Sequence, residues 1–111
     1  MARKKRGGGQ ERKKEIPLPD EKEGTMLCVV VRNLGGGFLE VMCLDGETYK
    51  AWIPGRMRRR VWIRPGDVIL FLPWGTSDMK GEVVYRYLRN EVNKLIEMGL
   101  ISEEFLEEVG E

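Results

Sequence analysis

The amino-acid sequence predicts an all-β barrel of five short strands, with short α-helices behind it and a flexible basic arm in front. Three observations lead there. Short apolar stretches, several alternating with period two, recur from Gly24 to Tyr87, and glycine or proline closes most of them. Beyond Tyr87 the apolar spacing changes to the three-to-four rhythm of a helix. The first 15 residues hold one apolar residue besides the initiator, too little to offset the entropy of ordering.

Taken in order, residues 1–18 read as the basic arm, which ends in the stiff segment Ile16-Pro17-Leu18-Pro19. Residues 19–87 read as the barrel. Met26–Leu34, rich in β-branched side chains, is the first strand and runs into Gly35-Gly36-Gly37. Phe38–Leu44 is the second, with Leu39, Val41 and Cys43 on one face and Phe38, Glu40 and Met42 on the other. Asp45-Gly46 signals a hairpin. Thr48–Ile53 is the third strand, setting Tyr49, Ala51 and Ile53 opposite Thr48, Lys50 and Trp52.

Arg56–Ile63 does not alternate and predicts a short helical turn or loop. Asp67–Leu72 and Glu82–Tyr87 are the last two strands, joined by the polar loop Trp74–Gly81. Five short strands with a longer connection between the third and fourth is the strand count of an OB-fold, a partly open Greek-key barrel. Residues 88–111 read as a helical segment packed on the barrel. Leu88, Val92, Leu95 and Ile96 form one stripe, Gly99 stops the helix, and Ser102 caps a second one.

The formal net charge is +1, an average that hides strong polarity. Residues 1–14 carry +6, residues 15–23 carry −3, residues 24–90 carry +4 and residues 91–111 carry −6. A basic end suits a polyanion and an acidic end faces elsewhere. No apolar run reaches the ~20 residues of a bilayer-spanning helix, and no secretory signal is present, so a soluble cytoplasmic monomer is expected. With no histidine and only Cys28 and Cys43, zinc is not expected, nor any other metal or cofactor. The two cysteines read as buried thiols acting as small hydrophobes, a disulfide being the alternative.

The strongest feature is Gly55–Arg64, where Arg56, Arg58, Arg59, Arg60 and Arg64 fall in ten residues without an acid. A guanidinium contacts phosphate bidentately and stacks on bases, so this loop predicts contact with RNA. Lys50 and Trp52 share the exposed face of the preceding strand, and Trp62 lies within the run, flanked by Val61 and Ile63. Cations interleaved with aromatics suit single-stranded or irregular RNA. Trp52 and Trp62 are candidate base-stacking residues, whereas Trp74 in its loop is assigned no role. Arg3, Lys4, Lys5, Arg6, Arg12, Lys13 and Lys14 of the arm are expected to add phosphate contacts without sequence readout.

An enzyme is not expected. Histidine, the usual general base near neutral pH, is absent, and both cysteines sit in apolar strands.

The chain resembles the archaeal and eukaryotic translation initiation factor 1A family. The likeness is carried by G-G-G-F-L-E-V-M-C-L-D-G at 35–46, P-G-R-M-R-R-R-V-W-I at 54–63 and G-D-V-I-L at 66–70. M-K-G-E-V-V-Y-R at 79–86 is similar to the last barrel strand of the bacterial counterpart, initiation factor 1. The resemblance implies an S1-like OB domain that binds the small ribosomal subunit at the aminoacyl-tRNA site. There it would contact decoding-centre rRNA, help initiator tRNA and mRNA to settle, and act with other initiation factors. It also makes Arg56, Arg58, Arg59, Arg60 and Arg64 the main rRNA contact. Eukaryotic members continue into a long acidic tail that docks a GTPase partner, whereas this sequence stops at Glu111, which favours an archaeal-type member. Two other functions fit parts of the sequence: a general single-strand RNA chaperone of cold-shock or S1 type, and a protein-docking adaptor acting through the acidic helices.

Overall fold

A computed structural model describes residues 16–58, 62–75 and 78–110. Five strands form the barrel: β1 (Met26–Gly35), β2 (Phe38–Cys43), β3 (Thr48–Trp52), β4 (Val68–Pro73) and β5 (Lys80–Arg86). A one-turn helix, α1 (Gly55–Arg58), follows β3, and two helices, α2 (Arg89–Glu97) and α3 (Glu103–Gly110), follow β5. The barrel is closed in the order β1-β2-β3-β5-β4, with β4 returning to β1. Every pairing is antiparallel except β3 with β5. This is an OB-fold.

Alternation decides which side chains go inside. Leu39, Val41 and Cys43 of β2 and Ala51 and Ile53 at the end of β3 are buried, as the period-two pattern requires. They join Cys28, Val30, Met57, Ile69, Phe71 and Val83 in the barrel interior. β1 breaks the alternation because it is covered on both sides: Leu27, Cys28, Val29 and Val30 are all fully buried. Leu27 and Val29 point outward into a second core, with Val68, Leu70 and Tyr87 from the barrel and Leu95 and Ile101 from the helical end. Ile16 packs on the same cluster, and Tyr87 donates its hydroxyl hydrogen to the Pro17 carbonyl.

Closure depends on two residues around β5. At Gly81 a Cβ would lie 2.5 Å from the Phe71 ring, so only glycine lets β5 pass between β3 and β4. Met79 enters β5 through a left-handed backbone (φ 57°), and its carbonyl accepts the Lys50 N–H at 3.0 Å. The helix ends follow local rules. Leu88 N–H donates to the Glu91 carboxylate at 2.8 Å, and Phe105 N–H donates to Ser102 Oγ at 3.1 Å. Among the described residues no helix is long and apolar enough to cross a membrane.

Two expectations need correction. Cys28 and Cys43 are not a pair of free thiols: they are direct register partners on the inner faces of β1 and β2, and their sulfurs are bonded. Strand ends also shift. β4 extends through Pro73, which pairs with Gly81, and β5 begins at Lys80 and stops before Tyr87.

Candidate nucleic-acid interface

The arginine run starts from a fixed root. Met57 is buried in the barrel core, and the amides of Met57 and Arg58 both donate to the Pro54 carbonyl, at 2.9 and 3.2 Å. One buried methionine thus sets the phase of α1 and turns Arg56 and Arg58 outward, where both are exposed. At the far end Ile63 packs against the core. The Arg64 amide donates to the Asp67 carboxylate at 2.9 Å, closing the turn into β4. With Ile63 turned in, Trp62 projects into solvent, 78% exposed. Arg59 and Arg60 lie outside the described residues, as do Arg3, Lys4, Lys5, Arg6, Arg12, Lys13 and Lys14 of the arm.

Arg58 is not a loose side chain. Its guanidinium carbon sits 4.2 Å from the Trp52 ring centroid, and its Nε–H donates to the Ile53 carbonyl at 2.8 Å. Trp52 contacts its cross-strand partner Phe38, with ring centroids 5.1 Å apart and planes tilted by 58°.

Lys50 lies two residues before Trp52 on the same outer face. Its β2 neighbour Glu40 is engaged by Arg32. Its parallel neighbour on β5 is Lys80, a cation the strand pattern did not single out. Two lysines abreast repel each other and gain from a shared counter-anion. Trp74 donates its indole N–H to Glu82 at 3.0 Å, which accounts for the aromatic that had no assignment. The structure therefore brings Arg56, Arg58, Lys50 and Trp52 to the region between α1 and the outer side of β3, and adds Lys80. Among the described residues no carboxylate forms an ion pair with Arg56, Arg58, Arg64 or Lys50.

Arg64 stands apart from the others. It lines a cleft of about 470 Å³ between the barrel and the helices, with Arg86, Arg89, Asp67, Glu103 and Glu107 among the other lining residues. The acids of α3 thus approach the Arg64 end of the run, and Arg56 and Arg58 are not among the cleft residues. Among the described residues no cluster of three or more carboxylate or cysteine side chains is placed to hold a metal ion.

Titratable groups with shifted properties lie away from the cationic face. Tyr85 is pushed up to about 12 by burial and by its hydrogen bond to Glu91. Tyr49 is pushed up to about 12, chiefly because its hydroxyl donates to Asp45 at 2.7 Å. Tyr87 is raised further by burial. Nothing in these shifts creates an acid or base active near neutrality.

Fold and face together define an OB-fold protein with an open cationic surface. Comparison with known proteins makes the family specific. The family model described as Translation initiation factor 1A / IF-1 matches residues 13–110. A translation initiation factor 1A of Aeropyrum pernix is 70% identical over 102 residues, 92% of each chain. One of Desulfurococcus amylolyticus is 50% identical over 111 residues, covering 100% of this chain and 96% of its own. A solution structure of translation initiation factor 1 from the Wolbachia endosymbiont of Brugia malayi aligns with 22% identity and a TM-score of 0.48, over 69% of this chain and 94% of its own. The chain belongs to the translation initiation factor 1A / IF-1 family, as an archaeal-type member.

Proposed function

We propose that this protein binds the small ribosomal subunit at the aminoacyl-tRNA site through rRNA contacts of its cationic face. The contacts are Arg56, Arg58, Arg59, Arg60 and Arg64 on the loop, with Lys50, Trp52 and Trp62 beside them. Arg3, Lys4, Lys5, Arg6, Arg12, Lys13 and Lys14 of the arm add phosphate contacts. Occupying that site without turnover keeps it free of premature tRNA while initiator tRNA and mRNA settle, in concert with other initiation factors. The protein acts as a cytoplasmic monomer.

One observation carries this reading: Arg56 and Arg58 are exposed, no carboxylate among the described residues pairs with them, and the exposed Trp62 follows in the same loop. Such an edge is costly in self-repulsion unless a polyanion meets it. Affinity then comes mostly from phosphate contacts, with Trp62 available to stack on an unpaired base.

Co-sedimentation of the full chain with purified small subunits tests it. Binding is expected, competed by tRNA in the aminoacyl site and lost when Arg58, Arg59 and Arg60 are all changed to Glu. Binding indifferent to that charge reversal rejects the loop as the contact. Tighter binding to short single-stranded RNA than to subunits would point to a general RNA chaperone instead.

A further inference from the structure

Arg58 differs from the other described arginines of the loop in how it is held. Three residues converge on it, and a fourth braces one of them. Trp52 lies under its guanidinium at 4.2 Å, and the Ile53 carbonyl takes its Nε–H at 2.8 Å. Phe38 braces the indole from the neighbouring strand, with ring centroids 5.1 Å apart. Gly37 supplies the space: a Cβ there would lie 2.7 Å from Arg58 Cζ and 3.0 Å from Trp52 Cζ3. Gly37 also adopts φ +89°, and its carbonyl accepts the Ile53 N–H at 2.8 Å, joining the β1–β2 turn to the root of α1. A side chain at position 37 would therefore meet both a strained backbone and the guanidinium.

We propose that Trp52, Phe38 and Gly37 form a positioning device that holds the Arg58 guanidinium flat and oriented before any phosphate arrives. The inference rests on the functional reading above and changes the role of Trp52 within it. The indole face under Arg58 is already covered, so Trp52 serves the interface through Arg58 rather than as an open platform for a base.

The physical gain is entropic as well as electrostatic. A free arginine carries rotamer freedom that a phosphate contact would have to remove. Stacking on the indole and the bond to Ile53 remove much of it in the unbound protein. The guanidinium keeps other N–H donors, and the side chain stays exposed, so its charge remains available. A lysine at position 58 keeps the charge but lacks the planar fork that lies flat on a ring, so Arg58→Lys is not conservative here.

The test has two parts. In the free full-length protein, nuclear magnetic resonance should show ring-shifted Arg58 side-chain protons and a slowly exchanging Nε–H, both lost in Trp52→Leu and largely kept in Trp52→Phe. A freely rotating Arg58 in the wild type overturns the device. In small-subunit binding, Trp52→Leu and Arg58→Lys should each weaken affinity by about fivefold, the size of one cation–π contact. The double variant should be little weaker than either single one, because both remove the same arrangement.

Losses that multiply in the double variant overturn the inference, since Trp52 would then act independently, as a base-stacking residue does. No loss in either single variant overturns it as well. Arg58→Lys changes an exposed side chain and carries the test if Trp52→Leu lowers the melting temperature. Wild-type protein that fails to bind subunits defeats the functional reading, and the inference with it, whatever the Arg58 spectrum shows. Normal binding with additive losses defeats the inference alone.

Discussion

The two outer sides of the barrel are built from the same sheet and put to opposite use. Where β1 and β4 carry Leu27, Val29, Val68 and Leu70 outward, Leu95 of α2 and Ile101 beyond it cover them, and all six are buried. Where β3 and β5 carry Lys50, Trp52 and Lys80 outward, none of them is buried. The difference lies in the outward-facing residues. An apolar outer row must be covered, and a cationic one must stay wet. α3 is acidic, with Glu103, Glu104, Glu107 and Glu108 and no base, whereas Glu91 and Glu97 of α2 are balanced by Arg89 and Lys94, so it is α3 that would repel the polyanion the open side attracts. One side carries stability, the other carries charge.

Substitutions can break that division, and the largest effect should come from the covered side. Leu95 is fully buried, so Leu95→Ala should cost about 2–5 kcal/mol in denaturant unfolding. The salt dependence of subunit binding by the folded fraction should not change. Removing the cap of α3 is milder: Ser102→Ala should cost about 1 kcal/mol, because the Phe105 amide loses its partner.

On the open side the signs reverse. Lys80→Ala should leave unfolding within about 0.5 kcal/mol of wild type. It should also lower the slope of log affinity against log salt by about one unit if Lys80 neutralises one phosphate.

The smallest effect concerns the tyrosines. Tyr49 and Tyr85 are raised to about 12 and Tyr87 further, and these are all the tyrosines in the chain. The fold favours their neutral forms. Their contribution to stability is therefore complete below about pH 10, the unfolded value, and is lost as pH rises through about 12. An ultraviolet titration should show no phenolate step near pH 10 while the protein stays folded.

Much of this architecture is legible in the sequence because it rests on local rules. The inward row Leu39, Val41 and Cys43, the break at Pro54-Gly55, the stop at Gly99 and the cap at Ser102 each depend on neighbours a few residues away. The arginine run is equally plain, since a charge cluster needs no fold to be seen.

What was hidden depends on distant segments. Lys80 joins Lys50 only through a parallel pairing that spans thirty residues of chain, and a period-two pattern carries no record of which strand lies alongside. Cys28 and Cys43 face each other by register across the β1–β2 hairpin, with a separation of 15 that no short motif announces. The seating of Arg58 on Trp52 needs α1, β3 and Gly37 at once, and composition alone shows only an arginine and a tryptophan six residues apart. β1 shows no alternation because it is buried on both sides, and it is legible from its β-branched residues instead.

The central claim is that the cations of the open side, which no carboxylate among the described residues pairs in the case of Lys50, Arg56 and Arg58, meet phosphate. It is tested most directly by measuring small-subunit affinity across a salt series for wild type and for Lys50→Ala/Arg56→Ala/Arg58→Ala. The slope should fall by about two to three units in the variant, roughly one for each phosphate contact removed. Parallel lines, with wild type and variant equally sensitive to salt, would contradict the account.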